Sequence, residues 1–257
     1  MHDAESGSRR RVQAVDTSCA IVEALRELDG AGVSELAQRL DLSKATVHSH
    51  LQTLAANEFV VQQGDSYAVS LKFVDLGEYA KNQVSIYDIA VEEVERLAEE
   101  TGEVVQFMIE EHGQGVYLHK ATGENAIQTA SYTGDRKLLH CTALGKAILS
   151  RLSDEEVDAV VDRHGLPART ENTITDRDRL HEELATIREE NVAFDDEEIL
   201  DGLRCVAAPV EHPGGDVVGA ISISGPTSRF KGDRFDEELP EIVQGAANVI
   251  EVNATQV

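Results

Sequence analysis

Leu42-Ser-Lys-Ala-Thr-Val-His-Ser-His-Leu-Gln-Thr-Leu-Ala-Ala56 decides how the rest of this chain is read. Ser43 stands where an N-cap hydroxyl accepts from a free N–H of the first turn, so the spacing predicts one helix from that point. Val47, Leu51 and Leu54 recur at i, i+4 and i+7 and give the helix one apolar stripe for a core. Lys44, Ala45, His48, Ser49 and Gln52 fall on the opposite side, with Thr46 at the edge. Small or hydrogen-bonding residues with no acid among them are what a helix needs to enter a DNA groove. The sixteen residues from Leu42 to Asn57 hold no carboxylate, in a chain of net charge −25. An ordinary amphipathic helix shows the same apolar period, so the neighbouring sequence has to decide between the two.

Upstream, Asp16 to Leu28 is helical in pattern, with Ile21, Val22, Leu25 and Leu28 on one face. Gly30 and Gly32 break it, and Ser34 is placed to cap a short second helix, Glu35 to Leu40, that buries Leu36 and Leu40. Leu40-Asp-Leu-Ser43 then makes a tight turn. Downstream, Phe59-Val-Val61, a polar Gly64-Asp65-Ser66 turn and Tyr67-Ala-Val69 predict a β-hairpin. Helix, helix, turn, helix and hairpin in this order predict a winged helix-turn-helix, whose recognition helix and wing contact duplex DNA. The expected DNA-binding residues are Ser43, Lys44, Ala45, Thr46, His48, Ser49 and Gln52. Arg9-Arg-Arg11 reads as a basic arm on phosphates or as a frayed tail, and termini favour the tail.

A length of 257 residues allows one or two domains with a substantial core. No long apolar run or N-terminal signal pattern is present, so a cytoplasmic protein without a membrane partner is expected. Three cysteines at unrelated spacings argue against a disulfide framework or a Cys-x-x-Cys metal site. Up to Asp75 there are 7 basic and 11 acidic residues; from Leu76 onward there are 16 and 37. The acidity therefore lies outside the presumed DNA-binding segment. With 41% apolar residues in clear periods, disorder is excluded. A solvated acidic surface fits a high-salt cytoplasm, as in a halophilic archaeon. Counterion release then helps DNA binding less, and base contacts and DNA shape carry more of it.

Leu71 to Lys81 and Ser85 to Thr101 read as helices with no Pro- or Gly-rich linker between them, a stiff helical connection. Beyond Gly102 the period changes. Strands are predicted at Glu103 to Glu110, Gly115 to Lys120 and Ala126 to Tyr132, and helices at Thr142 to Leu152 and Asp154 to Arg163. Thr175 is placed to cap a helix over Asp176 to Glu190. Strands follow at Val192 to Ile199, Leu203 to Glu211 and Asp216 to Ser224, then a helix over Phe235 to Val252. Grouped rather than alternating elements predict an α+β fold with an antiparallel sheet flanked by helices.

Catalytic motifs are weak. Cys141 beside His140 suggests a thiol nucleophile, but neighbours on a strand point to opposite faces. Cys205 lies in an apolar strand, where a free thiol acts as a small hydrophobe. Of the acids Asp195 to Glu198 only alternate ones share a face, and a solvated reading suits Asp196 and Glu198. His112, His119 and His140 lack metal-ligand spacing. No nucleophile elbow, dinucleotide fingerprint or phosphate loop occurs. No catalytic residue, metal site or cofactor is assigned.

The chain resembles the IclR family of transcriptional regulators from about Val15 to its last helix. The likeness is carried by Ser34-Glu-Leu-Ala37, Thr46-Val-His48, Leu51-Gln-Thr-Leu54, Thr142-Ala-Leu-Gly-Lys146, Thr173-Ile-Thr175, Asp195-Asp-Glu-Glu198, Gly202-Leu-Arg-Cys-Val-Ala-Ala-Pro-Val210 and Ser222-Ile-Ser-Gly-Pro226. The resemblance implies a winged helix-turn-helix over 12–73, a helical linker over 74–102 and a GAF-like effector domain over 103–257. It implies homodimers or homotetramers that repress or activate catabolic genes in response to a small carboxylic, aromatic or sugar-derived acid. It also implies an effector pocket lined by Ala143, Leu144, Asp195, Leu203, Cys205, Ser222 and Ser224.

Ser49-His50 departs from the Arg-Leu common in the family after Thr-Val-His, so the operator is expected to differ; His50 reads as a structural residue on the packed face. A helix N-terminus at Ala143, Leu144 suits an anion. Ser222 and Ser224 share a face, and Asp195 accepts from a ligand hydroxyl, which favours a hydroxylated or sugar-derived acid. The rival readings are a thiol or metal sensor working through Cys141 or Cys205, and, behind it, a hydrolase.

Overall fold

Glycine breaks, caps and apolar stripes place the elements of the computed structural model, which describes residues 11–212 and 214–255. Arg9 and Arg10 of the basic stretch lie outside the described residues; Arg11 ion-pairs with Asp16 at 2.8 Å. The chain divides into two compact units between Gln83 and Val84.

The first unit runs α1 (Gln13–Glu27), β1 (Ala31–Gly32), α2 (Val33–Leu40), α3 (Lys44–Ala56), β2 (Val60–Gln63), β3 (Ser66–Val69) and α4 (Lys72–Lys81). Ser43 caps α3, its hydroxyl accepting from the Thr46 N–H at 3.0 Å. Ser34 does not cap α2, which begins at Val33 with Gly32 in the capping position. The reason is tertiary: Ala31 and Gly32 are held extended against Tyr67 and Ser66 of the wing, and this pairing sets where the helix begins. A two-residue strand has no period to read. Ile21, Leu25, Leu36, Val47 and Leu51 form the core with Val60 and Tyr67. Each fully buried aliphatic side chain contributes about 1.5–3 kcal/mol. Leu54 packs against this core only in part.

The second unit comprises α5 (Tyr87–Thr101), β4 (Val104–Glu111), β5 (Gln114–Thr122), β6 (Arg136–Leu138), α6 (Ala143–Leu149), α7 (Asp154–His164), α8 (Arg177–Glu190), β7 (Ala193–Asp196), β8 (Leu203–Glu211), β9 (Val217–Pro226) and α9 (Leu239–Ala254). Residues 82–86 interrupt the expected helical connector. Its first helix, α4, belongs to the first unit, and α5 contributes Ala90, Val94 and Leu97 to the core of the second. The strands form one antiparallel sheet, in the order β6-β5-β4-β9-β8-β7. Both faces are covered. Val206, Ala208 and Val210 of β8 join a core that includes α5 and α9, whereas Leu203, Cys205 and Ala207 join one that includes α6 and α8.

Three further expectations fail. Ala126 to Tyr132 is not a strand; β6 pairs with β5 in its place, Gln114 opposite Leu138 and Val116 opposite Arg136. The 126–132 stretch is held by a side chain, since Lys120 Nζ donates to Thr129 Oγ1 at 2.8 Å and to Ser131 O at 2.7 Å. The cap of α8 is Asp176, not Thr175: its carboxylate accepts from the Arg179 N–H at 3.0 Å. Helix α6 ends at Leu149, short of Leu152. It lies so close to the preceding turn that a Cβ on Gly145 would come within 2.1 Å of Leu139 O.

Candidate functional site

The two units carry two different surfaces. On α3, Lys44, Ala45, His48, Ser49 and Gln52 are exposed and Thr46 is half-buried, while Val47 and Leu51 are fully buried. Lys44, His48 and Gln52 recur at i, i+4 and i+8, so they form one row along the helix. Their side chains make no hydrogen bond or ion pair with any described residue. The other expected contact residues are partly engaged. The Ser43 hydroxyl caps the helix and lies 2.8 Å from Thr46 Oγ1, and the Ser49 hydroxyl donates to Ala45 O at 3.0 Å. His50 is half-buried, with Nδ1 2.8 Å from Ser18 Oγ on α1, in keeping with a packing role.

In the second unit, antiparallel register puts polar side chains in rows on one face of the sheet. Asp195 of β7 pairs with Cys205 of β8, which pairs with Ser224 of β9. One step along, Ser222 lies opposite Gln106 of β4. Leu203 of β8 shares this face, and Ala143 and Leu144 at the start of α6 pack on it. All seven residues expected to hold an effector line one cavity of about 460 Å³. That volume lies within the range of small-molecule sites, about 300–1,000 Å³. Gln106, Tyr117, Thr129, Ser131 and Arg169 line it too.

Asp195 is fully buried. Its Oδ1 accepts from the Glu198 N–H at 2.7 Å and the Ile199 N–H at 3.4 Å, while Oδ2 has no partner among the described residues. Burial pushes its carboxyl up to about 7, against the opposing pull of the Glu198 N–H. Ser222 Oγ is likewise buried without a partner. Close to Asp195, Lys146 is 1% exposed, with Nζ 2.9 Å from Glu183 Oε1 and also bonded to Glu198. Burial alone would lower this ammonium group; the two carboxylates outweigh it and hold its pKa above the ordinary value. Glu198 is therefore not the solvated acid expected from its run. Alternation ends at Asp196, the last residue of β7, and Glu197 turns through a left-handed conformation (φ 61°), which brings Glu198 inward. Asp196 stays exposed and ion-pairs with Arg204 at 2.6 Å.

Burial also raises the thiols, Cys141 to about 11 and Cys205 well above its ordinary value. That is the reverse of what a reactive thiolate needs. Burial lowers His140, whose Nε2 lies 3.2 Å from Pro167 O. His112, His119 and His140 do not gather: His119 meets Glu95 and the carbonyl of His112 meets His164. Sequence reasoning missed Gln106, Thr129, Ser131, Tyr117 and Arg169. Gln106 left a signal, a lone amide inside the apolar run Val104 to Ile109. Arg169, in an irregular loop, left none.

Two family models match the chain: the IclR helix-turn-helix domain over residues 14–64, and the bacterial transcriptional regulator IclR C-terminal domain over residues 79–252. The chain belongs to the IclR family. Among its IclR relatives, "Probable HTH-type transcriptional regulator ArcR" of Halobacterium salinarum is 33% identical over 97% of this chain and 96% of that protein. The HTH-type transcriptional regulator KdgR of Escherichia coli is 36% identical over 89% of this chain and 88% of that protein. The crystal structure of the Thermotoga maritima IclR protein superposes with a TM-score of 0.75 at 28% identity, covering 94% of this chain and 97% of that one. An IclR-family chain is a transcriptional regulator that pairs DNA binding through its helix-turn-helix with a C-terminal domain for small-molecule effectors. Among the described residues no helix is long and apolar enough to cross a membrane.

Proposed function

We propose that this IclR-family chain is a sequence-specific regulator whose promoter occupancy is set by a hydroxylated or sugar-derived acid bound in the cavity of the second unit. In a dimer or tetramer, two copies of α3 enter successive major grooves of a near-palindromic operator. Lys44 meets phosphate or a guanine edge, and His48 and Gln52 read base edges. The effector binds the two states of the assembly unequally, and that difference shifts DNA affinity. One observation carries the choice of ligand: Asp195 and Ser222 line the cavity, and Asp195 Oδ2 and Ser222 Oγ are buried without a hydrogen-bond partner among the described residues. Each such atom costs about 1–3 kcal/mol when left unmet, a cost that ligand hydroxyls relieve. Arg169 supplies a cation for the acid group; α6 is a weaker anion site than expected, because Thr142 Oγ1 already takes the Gly145 N–H at 3.0 Å.

The test is a gel shift on the chain's own upstream region in molar KCl, with panels of sugar acids and aromatic acids. A variant with Lys44, His48 and Gln52 all replaced by Ala is expected to lose binding while folding normally. Ser222→Ala is expected to keep DNA binding and lose the effector response. If the folded triple variant occupies the promoter like the parent, the DNA-binding surface is wrongly assigned.

A further inference from the structure

The cavity lining mixes two chemistries. Asp195, Ser222 and Ser224 on it are buried, and the buried cation close to Asp195, Lys146, is bound by Glu183 and Glu198. Three basic residues line it as well, Arg136, Lys137 and Arg169. Two of these three are already engaged, Arg136 by Glu111 and Lys137 by Asp135 at 2.9 Å. The Arg169 guanidinium makes no hydrogen bond or ion pair with any described residue, although the chain holds 48 acids. A guanidinium left so on a cavity wall is available to an anionic ligand.

The backbone of Glu198 ties down the loop that carries this cation. The Arg169 N–H donates to Thr173 Oγ1 at 3.0 Å, and that hydroxyl donates to Glu198 O at 2.7 Å. On the other side the Glu198 N–H donates to Asp195 Oδ1 at 2.7 Å. One residue, anchored in turn by Lys146, thus holds the loop of Arg169 and the carboxyl of Asp195 at a set separation. A carboxylate placed beside Asp195 would meet like charge, whereas a guanidinium fork matches a carboxylate through two parallel N–H donors.

We propose that Arg169 is the specificity residue for the effector's anionic group. The effector lies with a hydroxyl or carbonyl end against Asp195 and Ser222 and its carboxylate against Arg169, so the site selects hydroxy acids over the corresponding polyols. This rests on the reading of the cavity as the effector site.

Calorimetric titration of the full chain in KCl separates the two claims, with gluconate against glucitol and galactonate against galactitol as probes. The unaltered chain is expected to prefer each acid over its polyol roughly tenfold, the worth of one partly exposed charge-assisted pair. Arg169→Gln, a change at an exposed side chain, brings that ratio close to one, and Arg169→Lys restores part of it. Ser222→Ala weakens acid and polyol together and leaves the ratio unchanged. If the acids bind and Arg169→Gln keeps the preference, Arg169 is not the anion's partner and the effector reading survives. If neither acids nor polyols bind the unaltered chain, the effector reading fails and this inference with it.

Discussion

Replacing Asp195 by asparagine keeps the shape of a fully buried side chain and removes its ability to ionise. The amide oxygen still accepts from the Glu198 and Ile199 N–H groups, as Oδ1 does now. Burial raises the folded carboxyl from 3.8 to about 7, and the titratable groups around it are Glu198, Lys146, Cys205, Cys141 and Tyr117. An acid whose pKa is higher in the folded state binds its proton more tightly there. Folding therefore loses stability as pH rises past 3.8, and the loss levels off above about 7. At full extent the difference is on the order of 4 kcal/mol. About 1.4 kcal/mol of it develops between roughly pH 6 and pH 8.5. For a unit of this size that corresponds to about 3–5 °C in Tm. Scanning calorimetry of both proteins at these two pH values should show Asp195→Asn gaining that much on the parent at the higher pH. A difference in Tm that stays the same at both values would refute the account: burial would then not be what sets the ionisation of Asp195.

Ser43→Ala removes the cap of α3 and is expected to cost about 1 kcal/mol of stability in the first unit, read as a lower midpoint in urea; no change would mean that water replaces the hydroxyl at no cost. Lys146→Met leaves Glu198 and Glu183 facing an apolar side chain. It should cost about 3–5 kcal/mol, most of it recovered in the Lys146→Met/Glu198→Gln double variant, with chemical denaturation as the measure. Replacing Cys141 and Cys205 together by Ser should preserve operator binding under oxidising and reducing conditions alike, because both thiols are held protonated; a redox response lost in that variant would revive the thiol-sensor reading.

Much of the first unit was legible because its signals are local. The cap at Ser43, the stripe Val47 and Leu51, and the turn at Gly64 each act within a few residues. The start of α2 was misplaced by one cap because a strand partner some thirty-five residues away, at Tyr67 and Ser66, sets it. The order of strands and helices in the second unit was also readable. The strand assigned to Ala126 to Tyr132 was not, because β propensity cannot say whether a sheet edge has room, and β6 occupies the edge of β5.

The same division runs through the functional surfaces. Sequence alone determined that α3 would carry an acid-free face, since period and charge along one helix depend on nothing distant. The seven expected pocket residues came from likeness to a family, and the folded chain brings them to one cavity. Only the tertiary structure decided that Glu198 turns inward to Lys146, and that an Asp195 oxygen and the Arg169 guanidinium are left without a partner among the described residues. The physical reason is the range of the forces involved. Helix period, capping and turn preference act over a few residues, whereas burial, and with it the ionisation of a carboxyl, depends on which distant segments close over the group.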